Sequence, residues 1–138
     1  MKRFVQLGLC LTACVNLGCE SASTGAAQGD PERGRQAFVA LQCHTCHEVS
    51  GGELPAPTIV PAVQLGGRRL LPPSRERLEQ DILVPSSHFA QGYPVDQITA
   101  NDRSRMPEYA KMLTDAQVKD IVAFLKSRYS MGIPSPTR

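Results

Sequence analysis

The chain has 138 residues, enough for one domain, and carries 15 Lys+Arg against 13 Asp+Glu. With Lys2 and Arg3 assigned to a leader, the remaining bases and acids balance, which removes the electrostatic case for nucleic acid or an anionic membrane surface as partner. Aromatics are only 5% and Trp is absent, so the side chains alone supply few large apolar surfaces for a core.

Lys2-Arg3 followed by an apolar run from Phe4 to Leu17 reads as a secretory signal over residues 1–19. The run falls short of the ~20 apolar residues that a membrane span needs. Its three cysteines point to a lipoprotein leader, in which a Cys after a small residue is lipidated and becomes the new N-terminus. Leu11-Thr12-Ala13 before Cys14 has the better local composition. Leu17-Gly18 before Cys19 gives the better leader length, although Asn16 is a poor residue at its offset, and Cys19 is favoured. Ordinary cleavage near Ser21-Ala22-Ser23 is the alternative. Either route exports the chain, to the periplasm or the outer face of the cytoplasmic membrane. Residues 20–29 are small, polar and without periodicity, a flexible tether that would hold a domain near a membrane partner.

A folded domain is expected over residues 30–130. Asp30-Pro31-Glu32 is a helix start: a capping carboxylate, a proline suited to the first helical position and an acid at the positive end of the dipole. The helix runs to about Leu41 with Ala37, Phe38 and Leu41 on one face and Gly34 one turn before Phe38. Next comes Cys43-His44-Thr45-Cys46-His47, the C-x-x-C-H sequence for covalent haem. Two thiols at this spacing can add to the two vinyl groups on one porphyrin edge, and the following His47 is carried under the ring, where its imidazole can bind iron. A zinc ribbon would need a second Cys or Cys/His pair, and the other cysteines lie in the leader. A thioredoxin-like redox pair would need a βαβ setting, of which there is no sign. His44 reads as a solvated spacer.

From Glu48 to Leu71 the chain is rich in Gly and Pro and reads as loop. Arg68-Arg69 reads as ordinary solvated charge. Ser74 can cap a helix through about Val84, with Leu78, Ile82 and Leu83 inward and Pro85 as its stop. Ser86 to Gln97 reads as loop, carrying His88, Phe89 and Tyr93. In the segment Asn101 to Tyr109, Pro107 holds the backbone of Met106 extended, and polar surroundings fit a core role for that Met poorly. The clearest helix is the last. Thr114 and Gln117 form a capping box, Leu113 and Val118 a staple, and Val118, Ile121, Val122, Leu125 and Tyr129 one apolar stripe. Asp115 in the first turn and Lys126 and Arg128 in the last complement its dipole. Gly132 and Pro134 end it, leaving a tail over residues 131–138.

The motif Cys43-His44-Thr45-Cys46-His47, the helix before it, the Pro-containing loop after it, Met106-Pro107 and the amphipathic last helix come in one order. In that order, over roughly residues 30–129, the chain resembles the small monohaem cytochrome c family with His/Met ligation. The resemblance implies an all-α fold of three to five short helices around one covalent haem c, whose porphyrin would make good the shortage of large side chains. It implies thioethers at Cys43 and Cys46, iron ligated by His47 and Met106, with His88 and Met112 as rivals to Met106. It implies a proline carbonyl accepting the proximal His N–H, for which Pro57 in Ala56-Pro57-Thr58-Ile59 is the candidate and Pro55 and Pro61 are rivals. Tyr93 would reach a haem propionate or pack. Gly34 and Phe38 would let the first helix cross the last closely.

The function implied is single-electron transfer by a carrier rather than an enzyme, because a His/Met-ligated iron has no open position for substrate. The expected partners are redox proteins, in particular membrane respiratory complexes, with the membrane reached through a lipid at Cys19 or Cys14, and with no nucleic acid and no small-molecule substrate. Two alternatives stand beside this: a relay subunit of a larger membrane oxidoreductase, and a haem enzyme or gas sensor with an open distal site.

Overall fold

In a computed structural model the described residues run from 28 to 133. The expected leader with Cys14 and Cys19, most of the expected tether and residues 134–138 of the tail lie outside them.

The first helix, α1 (Pro31–Ala40), starts as its sequence dictates. The Asp30 carboxylate accepts from the backbone N–H groups of Glu32 and Arg33, and Pro31 occupies the first turn. Leu41 ends it, and Gln42 takes a left-handed conformation at φ 59°, turning the chain into a short 3-10 turn over Cys43–Thr45. Then β1 (His47–Val49) pairs in parallel with β2 (Val63–Leu65), and β3 (Gly67–Arg69) follows at once. Helix α2 (Arg75–Leu83) is capped by the Ser74 hydroxyl on the Arg77 N–H and buries Leu78 and Ile82. A single turn, α3 (Val95–Ile98), leads into a hairpin of β4 (Thr99–Ala100) and β5 (Arg103–Ser104). Helix α4 (Asp115–Arg128) carries the full capping box of Thr114 and Gln117, and β6 (Tyr129–Met131) pairs in parallel with β3.

The fold is mostly helical, as expected. Three short strand pairs add to it where the sequence reads as loop or tail. Glu48 to Leu71 holds three strands, and the chain past Tyr129 stays ordered through β6, with the Gly132 N–H donating to the Arg69 carbonyl. The single-turn α3 begins within the stretch read as loop from Ser86 to Gln97. None of the described helices is long and apolar enough to cross a membrane.

The core is centred on the crossing of α1 and α4. Phe124 and Val122 are fully enclosed, and Phe38 packs on Phe124 with ring centroids 5.6 Å apart. Gly34 makes the crossing possible: a Cβ there would sit 1.9 Å from the Asp120 carbonyl oxygen and 2.9 Å from the Phe124 Cβ. The end of the tether joins the same contact, since Gly29 lies against the backbone of Lys119 and Asp120 and the Gln28 carbonyl accepts from Arg75.

Asp120, in the middle of the buried face of α4, fastens the crossing. One oxygen accepts from the Asp30 backbone N–H (2.6 Å) and from Arg33 Nη2 (3.1 Å), the other from Arg33 Nε (2.9 Å). The Arg33 guanidinium, helped by the Asp30 N–H, holds the Asp120 carboxyl below the usual carboxylate range. A lowered native pKa means that stability is gained above the unfolded-state value of about 3.9 and lost as pH falls through the native value. Asp120→Asn should therefore cost about 1–2 kcal/mol at neutral pH, where charge-assisted hydrogen bonds are lost, and should flatten the fall in stability below about pH 4. Urea titrations at pH 7 and pH 3 measure both, and an unchanged slope between them would contradict the assignment.

Candidate functional site

The C-x-x-C-H stretch is held from both sides by backbone. The Gln42 carbonyl accepts from the Thr45 N–H (3.0 Å) and the Thr45 hydroxyl (2.8 Å). The Thr45 carbonyl accepts from Thr58 and Ile59, both at 3.0 Å, and the Cys46 carbonyl accepts from Val63 at 2.9 Å. The Gly- and Pro-rich loop therefore folds back onto the motif, and the register that pairs His47 with Val63 fixes where the imidazole emerges.

It emerges on a cavity of about 570 Å³, within the ~300–1,000 Å³ range of small-molecule and cofactor sites. Much of the wall is apolar, with Leu78 and Ile82 from α2 and Ile121 and Leu125 from α4. Cys43, His47, Met106 and Tyr93 all lie on it. It carries one imidazole, from His47, and one thioether, from Met106. Cys46 stands beside His47 at the end of the 3-10 turn, with its sulfur 3.8 Å from the Thr45 hydroxyl. The rivals for the second ligand lie elsewhere: Met112 is 63% exposed, and His88 Nδ1 is engaged with Asp81 at 3.3 Å and with the Ser87 hydroxyl at 3.1 Å.

Among the described residues His47 Nδ1 is buried with no hydrogen-bond partner. Burial holds the imidazole below its ordinary pKa, and the nearby Val63 backbone opposes this in part. A neutral imidazole is the form that binds a metal. Pro57 sits next to Thr58, whose N–H is bound to the motif, and it is not on the cavity wall. The Tyr93 hydroxyl accepts from the Gln64 N–H at 2.8 Å, which leaves its own proton to donate.

The thiols separate the readings of the motif. Burial pushes the Cys43 thiol up to about 11. A dithiol–disulfide exchange site lowers the pKa of its attacking cysteine to make thiolate available, the opposite shift. Among the described residues no three His, Cys, Asp or Glu side chains converge to hold a metal ion, as a zinc ribbon requires. Two free thiols, a buried neutral imidazole and an apolar cavity fit a porphyrin joined by thioethers.

Two wall residues escaped sequence reasoning. Tyr109 is buried beside Cys43, and burial raises its phenol pKa. Arg69, paired with Met131 across β3 and β6, is a cation on the cavity wall rather than part of a purely solvated pair. A lone tyrosine three residues after Met106 gives no signal. An arginine two residues after Gly67 gives one only if the strand is recognised.

A family model described as Cytochrome c matches residues 31–128, more than half of the chain. Comparison with curated proteins and with solved structures finds no match. Denatured protein should keep its haem through acid–organic extraction, and Cys43→Ala should yield a single-thioether product or none. Haem that extracts freely from the unaltered chain would contradict the covalent site. By the match over residues 31–128, the chain belongs to the cytochrome c family, and Cys43 and Cys46 form the attachment site for its covalent haem c.

Proposed function

We propose that this protein is an exported electron carrier whose haem iron is held by His47 and Met106. The observation that carries the reading is that the one imidazole and the one thioether on the cavity wall belong to these two residues, while Met112 and His88 lie off it. When bound, the haem supplies a one-electron ferric–ferrous couple. With His47 and Met106 both holding the iron, no site would be open to substrate, and the role left would be to accept and pass single electrons.

The protein's own contribution is to set the potential and keep water away. Thioether sulfur is a soft ligand and favours ferrous iron. The aliphatic wall from α2 and α4 disfavours the extra charge of the ferric state. The Tyr93 proton directed at a haem propionate belongs to the same proposal. Partners are redox proteins, in particular membrane respiratory complexes, reached through a lipid anchor at Cys19 or Cys14. The leader sequence supports export and the anchor.

Met106→Ala should lower the midpoint potential by at least ~60 mV, one decade of the one-electron equilibrium. It should also abolish the sulfur-to-iron charge-transfer band of the oxidised protein and let carbon monoxide bind the reduced haem, whereas Met112→Ala should do none of these. A band that survives Met106→Ala and disappears in His88→Ala would move the ligand. Mass spectrometry of the mature N-terminus should find a lipidated cysteine, and an unmodified terminus within residues 20–29 would replace the anchored carrier with a soluble one.

A further inference from the structure

Met106 is the last of three consecutive residues whose backbone N–H groups are all hydrogen-bonded. The Ser104 N–H donates to the Ser86 hydroxyl at 3.1 Å, the Arg105 N–H to the Ile98 carbonyl at 3.0 Å, and the Met106 N–H to the Ser104 hydroxyl at 3.1 Å. The Arg105 side chain then turns back over the same helix end. Its Nε donates to the Thr99 carbonyl at 2.9 Å and its Nη2 to the Asp96 carbonyl at 3.3 Å. One residue thus takes three carbonyls at the end of α3, where the helix leaves its last carbonyls without partners and where a cation is favoured. Thr99, the pivot of this cluster, is itself buried, and its hydroxyl donates to the Val95 carbonyl.

The hairpin gives these bonds their effect. Asn101 and Asp102 both have positive φ, 52° and 59°, so the two-residue turn between β4 and β5 is of the tight type matched to strand twist. It returns the chain alongside α3, and Arg105 fastens the returning strand to the helix just before Met106. Pro107 restricts the backbone on the other side.

We infer that Arg105 is a positioning residue for Met106, fastening the hairpin that carries the thioether so that the distal side of the haem stays closed. This rests on the reading of Met106 as the iron ligand. The hydrogen bonds of the guanidinium go to the Thr99 and Asp96 carbonyls, not to the sulfur. It acts by removing the hinge freedom that the exposed segment 101–105 would otherwise lend to the ligand.

The test uses the full holoprotein. In Arg105→Ala the sulfur-to-iron band should be lost at lower urea than the helical circular dichroism signal, by a wider margin than any in the unaltered protein. Carbon monoxide should combine with the reduced form at least about tenfold faster, the factor that about 1.4 kcal/mol of lost hydrogen bonding provides. Arg105→Lys, able to reach one carbonyl, should fall between. If Arg105→Ala does not accumulate with haem attached, Ser86→Ala removes the neighbouring anchor and should give the same separation of band from helix. Coincident loss of band and helix signal in these variants, with carbon monoxide rates like those of the unaltered protein, overturns the inference. Met106→Ala distinguishes the two levels. A band that survives it sinks the ligand assignment itself. A band lost in Met106→Ala but unperturbed in Arg105→Ala sinks only the role of Arg105.

Discussion

The contact of Gly34 with the Asp120 backbone governs the rest of the molecule. Two helices pack this closely only where one of them has no side chain, and the 1.9 Å that a Cβ would leave at Gly34 is far inside any tolerable contact. With α1 and α4 drawn together, Phe38 and Phe124 pack with their rings tilted, and Phe38 comes within 6.4 Å, centroid to centroid, of the His47 ring. The attachment motif begins three residues after α1 ends, so its direction is inherited from that crossing. Asp120 adds a polar clasp where apolar packing alone would let the helices slide. Its partner Arg33 keeps a largely exposed side chain, so the charge is not stranded in a dry interior, and the pair avoids the heavy desolvation cost of a fully buried ion pair.

From that crossing the cavity follows. A chain so poor in aromatic residues has too little apolar surface to close its own centre, and α2 and α4 enclose space instead of filling it. A porphyrin supplies the missing surface, which makes the cofactor a structural element of the core. The basic residues ending α4 serve the same closure. The Lys126 ammonium donates to the Pro73 carbonyl at 2.8 Å, and Arg128 donates to the Gly51 carbonyl at 3.0 Å while lying over the Phe124 ring. They complement the helix dipole, as their position in the last turn implies, and also tie the loop after β1 and the segment before α2 to the helix end.

The parts legible in the sequence are those governed by neighbours along the chain. Asp30 with Pro31, Ser74 with Pro85, and Thr114 with Gln117 are local capping arrangements, and each helix begins where its cap stands. C-x-x-C-H is likewise a local code. Gly34 with Phe38 was legible only through the resemblance, because its meaning lies in a helix more than eighty residues away. The short strands were missed because their pairing is parallel and distant: β1 with β2 across a loop, and β3 with β6 across most of the domain. No alternation survives in three residues. Asp120 was missed for a related reason, since an acid within an apolar stripe looks like an ordinary helix residue until the Asp30 N–H and Arg33 arrive from α1.

On the proposed ligation by His47 and Met106, the two sides of the haem would be secured by different physics. The His47 side is redundant: His47 is one residue from a cysteine thioether, its strand is paired, and its imidazole lies near the buried Phe38 ring. The distal side has no covalent link. Met106 sits between the exposed Arg105 and Pro107 and depends on a turn of two positive-φ residues, two serine hydroxyls and one guanidinium. Local opening is cheapest where backbone hydrogen bonds are exposed and buried apolar contacts are few, and in this chain that describes residues 95–107 far better than residues 31–50. If the molecule opens short of global unfolding, it should therefore open on the methionine side, with the histidine side and the helix crossing intact. A fold that binds its cofactor covalently loses little by this, because the haem stays attached by its thioethers while the distal segment reforms.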